Sequence, residues 1–67
     1  MNGKVKRIFY DKNFGFILGI DGIEYFFHKS DNIIFGELSE GDKIEFEVVQ
    51  ANKGPRARNI IKVLNSS

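Results

Sequence analysis

The chain has 67 residues and a net charge of +1, because ten Lys and Arg residues nearly balance nine Asp and Glu residues. A chain of this size has one small core and buries only about 60% of its unfolded surface, so we expect a single domain over residues 1–67. The absence of cysteine excludes disulfides and thiolate metal sites. No segment approaches the roughly 18 apolar residues of a membrane span, and no apolar run follows Met1 as in a signal peptide. We therefore expect a cytoplasmic protein without membrane contacts.

Strand-like segments alternate with turn signals at short spacing along the chain, which predicts a small barrel or sandwich. The predicted strands cover approximately residues 4–10, 14–18, 23–28, 43–49 and 56–63. In the longer connection over residues 29–42, Ser30 or Asp31 is expected to cap a single helical turn. The tail over residues 65–67 is expected to fray. Five antiparallel strands in this length favour an all-β OB-type barrel.

The first and fourth predicted strands differ in their apolar pattern. Val5, Arg7 and Phe9 share one side of the first strand, whereas Ile8 lies on the other, and this slip in phase predicts a bulge. In the turn that follows, Asn13 is suited to a left-handed backbone. The fourth strand alternates regularly, which predicts an inward row and an outward acidic row; the inward row is Ile44, Phe46 and Val48, and the outward residues are Glu45 and Glu47.

Aromatic rings crowd the second and third predicted strands. Successive residues of a strand point to opposite faces, so Phe14 and Phe16 share a face. Ile17 is a natural core residue, and Gly15 on the same face would leave room for close packing, but the residues alone leave open whether Phe14 and Phe16 pack in the core or face outward. On the third strand the residues alone leave two arrangements open, with either Phe26 or Tyr25 outside. Either way one row of rings meets solvent or a ligand, and exposed rings among lysines are typical of surfaces on which nucleobases stack.

Nearly the whole chain, from Gly3 to about Val63, resembles the bacterial cold-shock domain family. The matching pieces are Gly3-Lys4-Val5-Lys6, Lys12-Asn13-Phe14-Gly15-Phe16-Ile17, Phe26-Phe27-His28, Glu40-Gly41, Phe46-Glu47-Val48 and Lys53-Gly54-Pro55-Arg56-Ala57-Arg58-Asn59-Ile60. The resemblance implies a five-stranded OB barrel that binds single-stranded DNA or RNA. It also implies that Phe26 lies outside, which places Tyr25 and Phe27 inside. A buried tyrosine hydroxyl needs a hydrogen-bond partner, so Tyr25 is expected near a barrel end.

The resemblance assigns roles to individual residues. The stacking positions are Phe14, Phe16, Phe26, His28 and, from the long connection, Phe35. The basic positions beside the bases are Lys6, Lys12 and Lys53. The roles of Lys4, Arg56 and Arg58 stay open between ligand contact and solubility.

The chain departs from the family pattern at the stacking surface. Arg7 and Ile8 stand where the family usually has tryptophan and phenylalanine, and Lys29 stands where a second aromatic residue usually follows the histidine. Asn13 and Phe9 replace a usual glycine and asparagine. The guanidinium of Arg7 can still lie flat on a base, whereas Lys29 offers only a point charge to a phosphate. We therefore add Arg7 and Lys29 to the expected nucleic-acid-binding residues.

The function expected from these features is single-stranded nucleic-acid binding by a monomer, with a role as an RNA chaperone. The alternative is a protein-interaction barrel whose apolar patch meets a partner chain. An enzyme is not expected, because no paired carboxylates, nucleophile elbow or phosphate-binding loop appears. A single histidine without cysteines is a poor metal site, so neither a metal nor another cofactor is expected.

The cations at Arg7 and Lys29 lead to a prediction about salt. Binding to a short oligothymidine should be weaker and more salt-dependent than in relatives that keep both rings, because each neutralised phosphate adds about −0.7 to the slope of log affinity against log salt. Titrations at two salt concentrations measure this slope. Tight binding that barely changes with salt would contradict the prediction.

Overall fold

The computed structural model describes residues 1–63, in which five β-strands close into a barrel. The strands are β1 (Asn2–Phe9), β2 (Phe14–Gly19), β3 (Glu24–His28), β4 (Lys43–Ala51) and β5 (Gly54–Lys62). Their order around the barrel is β1-β2-β3-β5-β4, and β4 pairs back to β1. The predicted all-β OB-type barrel is confirmed, although the short β3–β5 pairing is parallel rather than antiparallel. The tail over residues 65–67 lies outside the described residues.

The predicted bulge in β1 is confirmed. The register between β1 and β2 shifts between Val5 and Arg7, so that Lys6 is an extra residue on β1. Because of the bulge, Val5 and Ile8 both face the core, with 1% and 8% of their surfaces exposed. Asn13 follows in the tight turn with a φ of 62°, as its residue type predicts.

The core of the barrel is built from inward residues of the five strands and the long connection. The buried apolar residues are Val5, Ile8, Ile17, Tyr25, Phe27, Phe35, Leu38, Ile44, Phe46, Ala57 and Ile60. Gly15 is also buried. A Cβ atom at this position would lie only 2.5 Å from Cζ of Phe27, so no larger residue fits there. Phe27 therefore packs directly on the backbone of β2.

Tyr25 is buried, and its hydroxyl has the partner that burial requires. The ring is 4% exposed and lies 5.2 Å from that of Phe46. Its hydroxyl donates to Oδ2 of Asp21 in the β2–β3 turn, at 2.6 Å, while Oδ1 of Asp21 accepts from the Ile23 amide at 3.1 Å. This hydrogen bond lowers the pKa of Asp21 and raises the pKa of Tyr25. The arrangement with Phe26 outside and Tyr25 inside is the one observed.

The alternation predicted for β4 is observed, although Val48, which lies opposite the buried Ala57, is less covered than the other two inward residues. Ile44 and Phe46 are buried, but 38% of the Val48 surface is exposed. The pairing of β4 with β1 ends at Glu45. Val48 lies beyond this point, opposite Ala57 of β5, where less of the barrel covers it.

The connection between β3 and β4 contains two single-turn 3₁₀ helices, Lys29–Asp31 and Phe35–Glu37. The expected cap at Ser30 or Asp31 is wrong: Nδ1 of His28 accepts the Ser30 amide hydrogen at 3.1 Å and caps the first turn. The buried Asn32 side chain donates to the His28 carbonyl at 2.8 Å and accepts from the Ile60 amide at 3.1 Å. It thereby joins the connection to the end of β3 and to β5.

The packing of Phe27 on Gly15 predicts that Gly15→Ala is strongly destabilising. The new Cβ would meet the Phe27 ring and the Arg7 carbonyl oxygen, the latter at 2.6 Å. Overpacking of this kind typically costs about 1–3 kcal/mol of unfolding free energy. Gly36→Ala is the control, because its Cβ has no neighbour within 4 Å. Urea unfolding measures both, and equal stability of the two variants would contradict the packing argument.

The Asp21–Tyr25 hydrogen bond predicts a stability difference that depends on pH. Because folding lowers the pKa of Asp21 from 3.8, the stabilisation is complete above that pH and is lost as the pH falls through the lower folded value. Asp21→Asn should therefore be less stable than the parent protein at neutral pH, and the gap should close in strong acid. Urea midpoints across the acid range measure the gap. Asp11→Asn is the control, since Asp11 is exposed, and a gap at Asp21 that stays constant with pH would contradict the prediction.

Candidate nucleic-acid interface

Five rings form one cluster on the outer face of β1, β2 and β3, which we call the ring platform: Phe9, Phe14, Phe16, Phe26 and His28. All five are half-buried. The strand register brings them together, since Phe14 lies opposite both Phe9 and His28, and Phe16 lies opposite Phe26. Directly opposed residues of a sheet share a face, so the platform follows from the register of three neighbouring strands.

Phe14 occupies the centre of the ring platform. Its centroid lies 5.0 Å from that of Phe9 and 5.6 Å from that of Phe26, with interplanar angles of 34° and 27°. Phe16 meets the Phe14 ring edge-on at 5.9 Å and an angle of 89°. His28 continues the row at 6.4 Å from Phe26. Rings that support one another in this way hold their orientation before any ligand arrives, which reduces the entropy cost of binding.

Phe9 is a platform residue that the sequence reasoning did not assign. Its position matches an asparagine in the family pattern, so the resemblance gave no reason to include it. The β1 bulge carried the missing signal. Once Val5 and Ile8 are both inward, Arg7 and Phe9 must both be outward, and Arg7 lies opposite Phe16 as Phe9 lies opposite Phe14.

The ring of His28 is held in place from the side of the first 3₁₀ turn. Its Nδ1 accepts the Ser30 amide hydrogen, and the Ser30 hydroxyl lies 3.0 Å from the same nitrogen. When Nδ1 is an acceptor, the proton of a neutral imidazole resides on Nε2. The ring can therefore stack while Nε2 remains a hydrogen-bond donor.

Phe35, which was expected to offer a ring to the ligand, is buried in this structure. Phe35 is 3% exposed, and its ring packs against Phe27 at 5.8 Å and Tyr10 at 6.1 Å. The Tyr10 hydroxyl also donates to the Leu38 carbonyl oxygen. The connection thus folds inward over the core, so that Phe35 closes the barrel instead of extending the ring platform.

A groove runs from the platform to the β4–β5 turn, with Phe16 and Phe26 on one side and residues 51–56 on the other. Its volume is about 580 Å³, within the range of roughly 300–1,000 Å³ of ligand clefts. The guanidinium carbon of Arg56 lies 5.6 Å from the Phe26 centroid, and Arg56 forms an ion pair with Asp31. Among the described residues, the buried Nε of Arg56 has no hydrogen-bond partner.

The expected basic residues lie around the platform and are all exposed: Lys6, Arg7, Lys12, Lys29 and Lys53. Arg7 and Lys6 line a surface pocket together with Phe9 and Phe16. In this pocket Lys6 forms an ion pair of 3.1 Å with Glu24. Lys53 lines the groove beside Phe16 and Phe26. Lys12 and Lys29 are brought close by the backbone hydrogen bond from Lys29 to the Asn13 carbonyl, at 2.9 Å. Cations thus border the ring platform on several sides.

The outward residues of β4 carry the acidic surface that the sequence predicts. Glu45 and Glu47 are exposed, and Glu47 lies 3.6 Å from the Arg58 guanidinium. Over residues 1–63 no three His, Cys, Asp or Glu side chains converge as metal ligands would. No helix in the same range is long and apolar enough to span a membrane.

A five-stranded barrel with rings exposed on one face belongs to the class of OB-type binding barrels. The family model described as the 'Cold-shock' DNA-binding domain matches residues 1–63. The chain is 39% identical over 64 residues to cold shock protein CspD of Bacillus subtilis (strain 168), an alignment that covers 92% of this chain and 97% of the relative. For cold shock protein 2 of Lactiplantibacillus plantarum the identity is 43% over 61 residues, with 88% and 92% covered. For cold shock protein CspB of Bacillus caldolyticus it is 42% over 65 residues, with 91% and 96% covered.

The chain therefore belongs to the cold-shock domain family, and the resemblance drawn from its motifs is confirmed. The match extends from β1 through the end of β5. It includes the strands that carry the ring platform and the β4–β5 turn.

Proposed function

We propose that this barrel binds single-stranded nucleic acid by stacking bases on the ring platform, and that it acts as an RNA chaperone. The observation that carries the proposal is the set of half-exposed rings packed side by side on three neighbouring strands. Membership of a family whose model is named for DNA binding supports it. A base stacked on a protein ring is unavailable for pairing, so such a barrel keeps RNA single-stranded.

In the proposed complex the rings and the cations have separate tasks. Bases stack on the five rings of the platform, each typically contributing about 1–3 kcal/mol. The backbone phosphates meet the cations at its border: Lys6, Arg7, Lys12, Lys29 and Lys53. Base selectivity is modest, because every base has a π-face. The ammonium of Lys6 forms an ion pair with Glu24, so its contribution to phosphate binding is reduced.

We further propose that the barrel acts as a monomer in the cytoplasm and has no enzymatic activity. Within residues 1–63 each strand pairs with a neighbour on both sides over at least part of its length, which leaves only short edges for strand addition by a second copy. Binding by stacking and ion pairing requires neither a cofactor nor a reactive side chain.

The proposal predicts that Phe16→Ala loses oligonucleotide affinity while remaining folded. Phe16 is half-buried on the surface, so its removal leaves the core intact. The loss of about 1–3 kcal/mol of stacking corresponds to an affinity about 5- to 150-fold lower for a short oligothymidine. Fluorescence titration measures the affinity, and circular dichroism verifies the fold.

Ile61→Ala is the matched control for this experiment. Ile61 is also an exposed apolar residue, 56% accessible, but it lies on β5 opposite Glu45, away from the ring platform. It should bind as tightly as the parent protein. If Phe16→Ala binds like this control, stacking on the platform is not the source of affinity, and a protein-interaction barrel becomes the better explanation.

A further inference from the structure

A second groove lies on the same outer face, next to the ring platform along β2. The outward residues of β2 are Phe14, Phe16 and Leu18, and Leu18 lies opposite Lys4 of β1 as Phe16 lies opposite Arg7. The groove is lined on one side by Leu18 and Ile20, on the other by Lys43 and Val63, with Gly3 and Lys4 between them. We call it the Lys4–Lys43 groove, and its volume is about 340 Å³.

Two lysines lie side by side in this groove. Lys4 and Lys43 are register partners in the β1–β4 pairing, and both are exposed. Like charges directly opposite on neighbouring strands destabilise a sheet. Within residues 1–63 neither ammonium forms an ion pair with a carboxylate, whereas Lys6 is paired with Glu24 and Lys62 with Asp42. The fold therefore holds two neighbouring cations whose mutual repulsion a bound anion would relieve.

The walls of the groove are apolar and exposed. Leu18 is 43%, Ile20 77% and Val63 39% accessible. An occupant that fits must present an anion to the lysines and an apolar surface to these side chains. A nucleotide has both, because its phosphate is anionic and the faces of its base and sugar are apolar.

We propose that a single strand bound on the ring platform continues into the Lys4–Lys43 groove, with a phosphate between the two ammonium groups and a nucleoside against Leu18 and Ile20. This inference rests on the proposed function. Continuity with the platform favours this occupant over a separate protein partner, since Leu18 follows Phe16 on the same face at a distance of about 7 Å, two residues of strand. The adjacent acid Glu24 is already engaged by Lys6 at 3.1 Å.

The test compares short and long oligothymidines within the range of about 4–16 nucleotides that OB barrels cover. The short oligomer has about 4 nucleotides, so that it covers the ring platform without reaching the groove. The parent protein should bind the longer oligomer more tightly. Lys4→Gln and Lys43→Gln should each remove this gain and reduce the salt slope by about 0.7 for the long oligomer, with little change for the short one. Both variants should remain folded, because each removes a repulsion.

Lys62→Gln is the matched control, since it removes the same charge from a lysine that lies 3.5 Å from Asp42 and outside the groove lining. It should behave like the parent protein with both oligomers. If the groove variants match this control on the long oligomer, the groove inference is overturned and the proposed function stands. If they weaken both oligomers equally, the lysines act only through general charge, which also overturns it. If the parent protein fails to bind even the short oligomer, the proposed function itself fails.

Discussion

The contact between the Phe27 ring and the backbone of Gly15 decides which rings this barrel presents to solvent. With Phe27 and Tyr25 inside, alternation along β3 places Phe26 and His28 outside. Because Gly15 and Ile17 face the same core, Phe14 and Phe16 must join them on the outer face. The interior accepts two large rings from β3 only because glycine leaves room on β2. Stability and the candidate binding surface thus depend on one packing arrangement.

Local charge placement determines the character of this surface, although the net charge is only +1. Cations border the ring platform, while exposed acids are found on β4 at Glu45 and Glu47. Some cations are offset by neighbours, as Lys6 is by Glu24 and Arg56 by Asp31. Those without an ion pair within residues 1–63 lie around the ring platform or in the Lys4–Lys43 groove. Since screening weakens contributions beyond about 10 Å at moderate salt, these neighbouring charges matter more than the molecular total.

The connection between β3 and β4 links the surface to the core. His28 contributes a ring to the platform and an acceptor to the Ser30 amide, while Asn32 bonds to the His28 carbonyl and to the Ile60 amide. Asp31, in the same turn, holds the guanidinium that lies over Phe26. A stacking ring, a capping acceptor and a cation–π contact are therefore coupled through a few residues. The inward fold of the same connection places Phe35 in the core.

The sequence by itself determined the strands, the β1 bulge and the shared face of Phe14 and Phe16, because these follow from local alternation and from the conformational freedom of glycine and asparagine. That this face points outward was implied only by the family resemblance. The choice between Phe26 and Tyr25 required the family resemblance. Only the tertiary structure decided the exposure of Val48, the burial of Phe35, the capping role of His28 and the inclusion of Phe9. Each of these depends on which element covers or opposes the residue, and that contact joins positions far apart in the chain. The pairing of Lys4 with Lys43 is of the same kind, since the β1–β4 register that creates it exists only when the barrel closes.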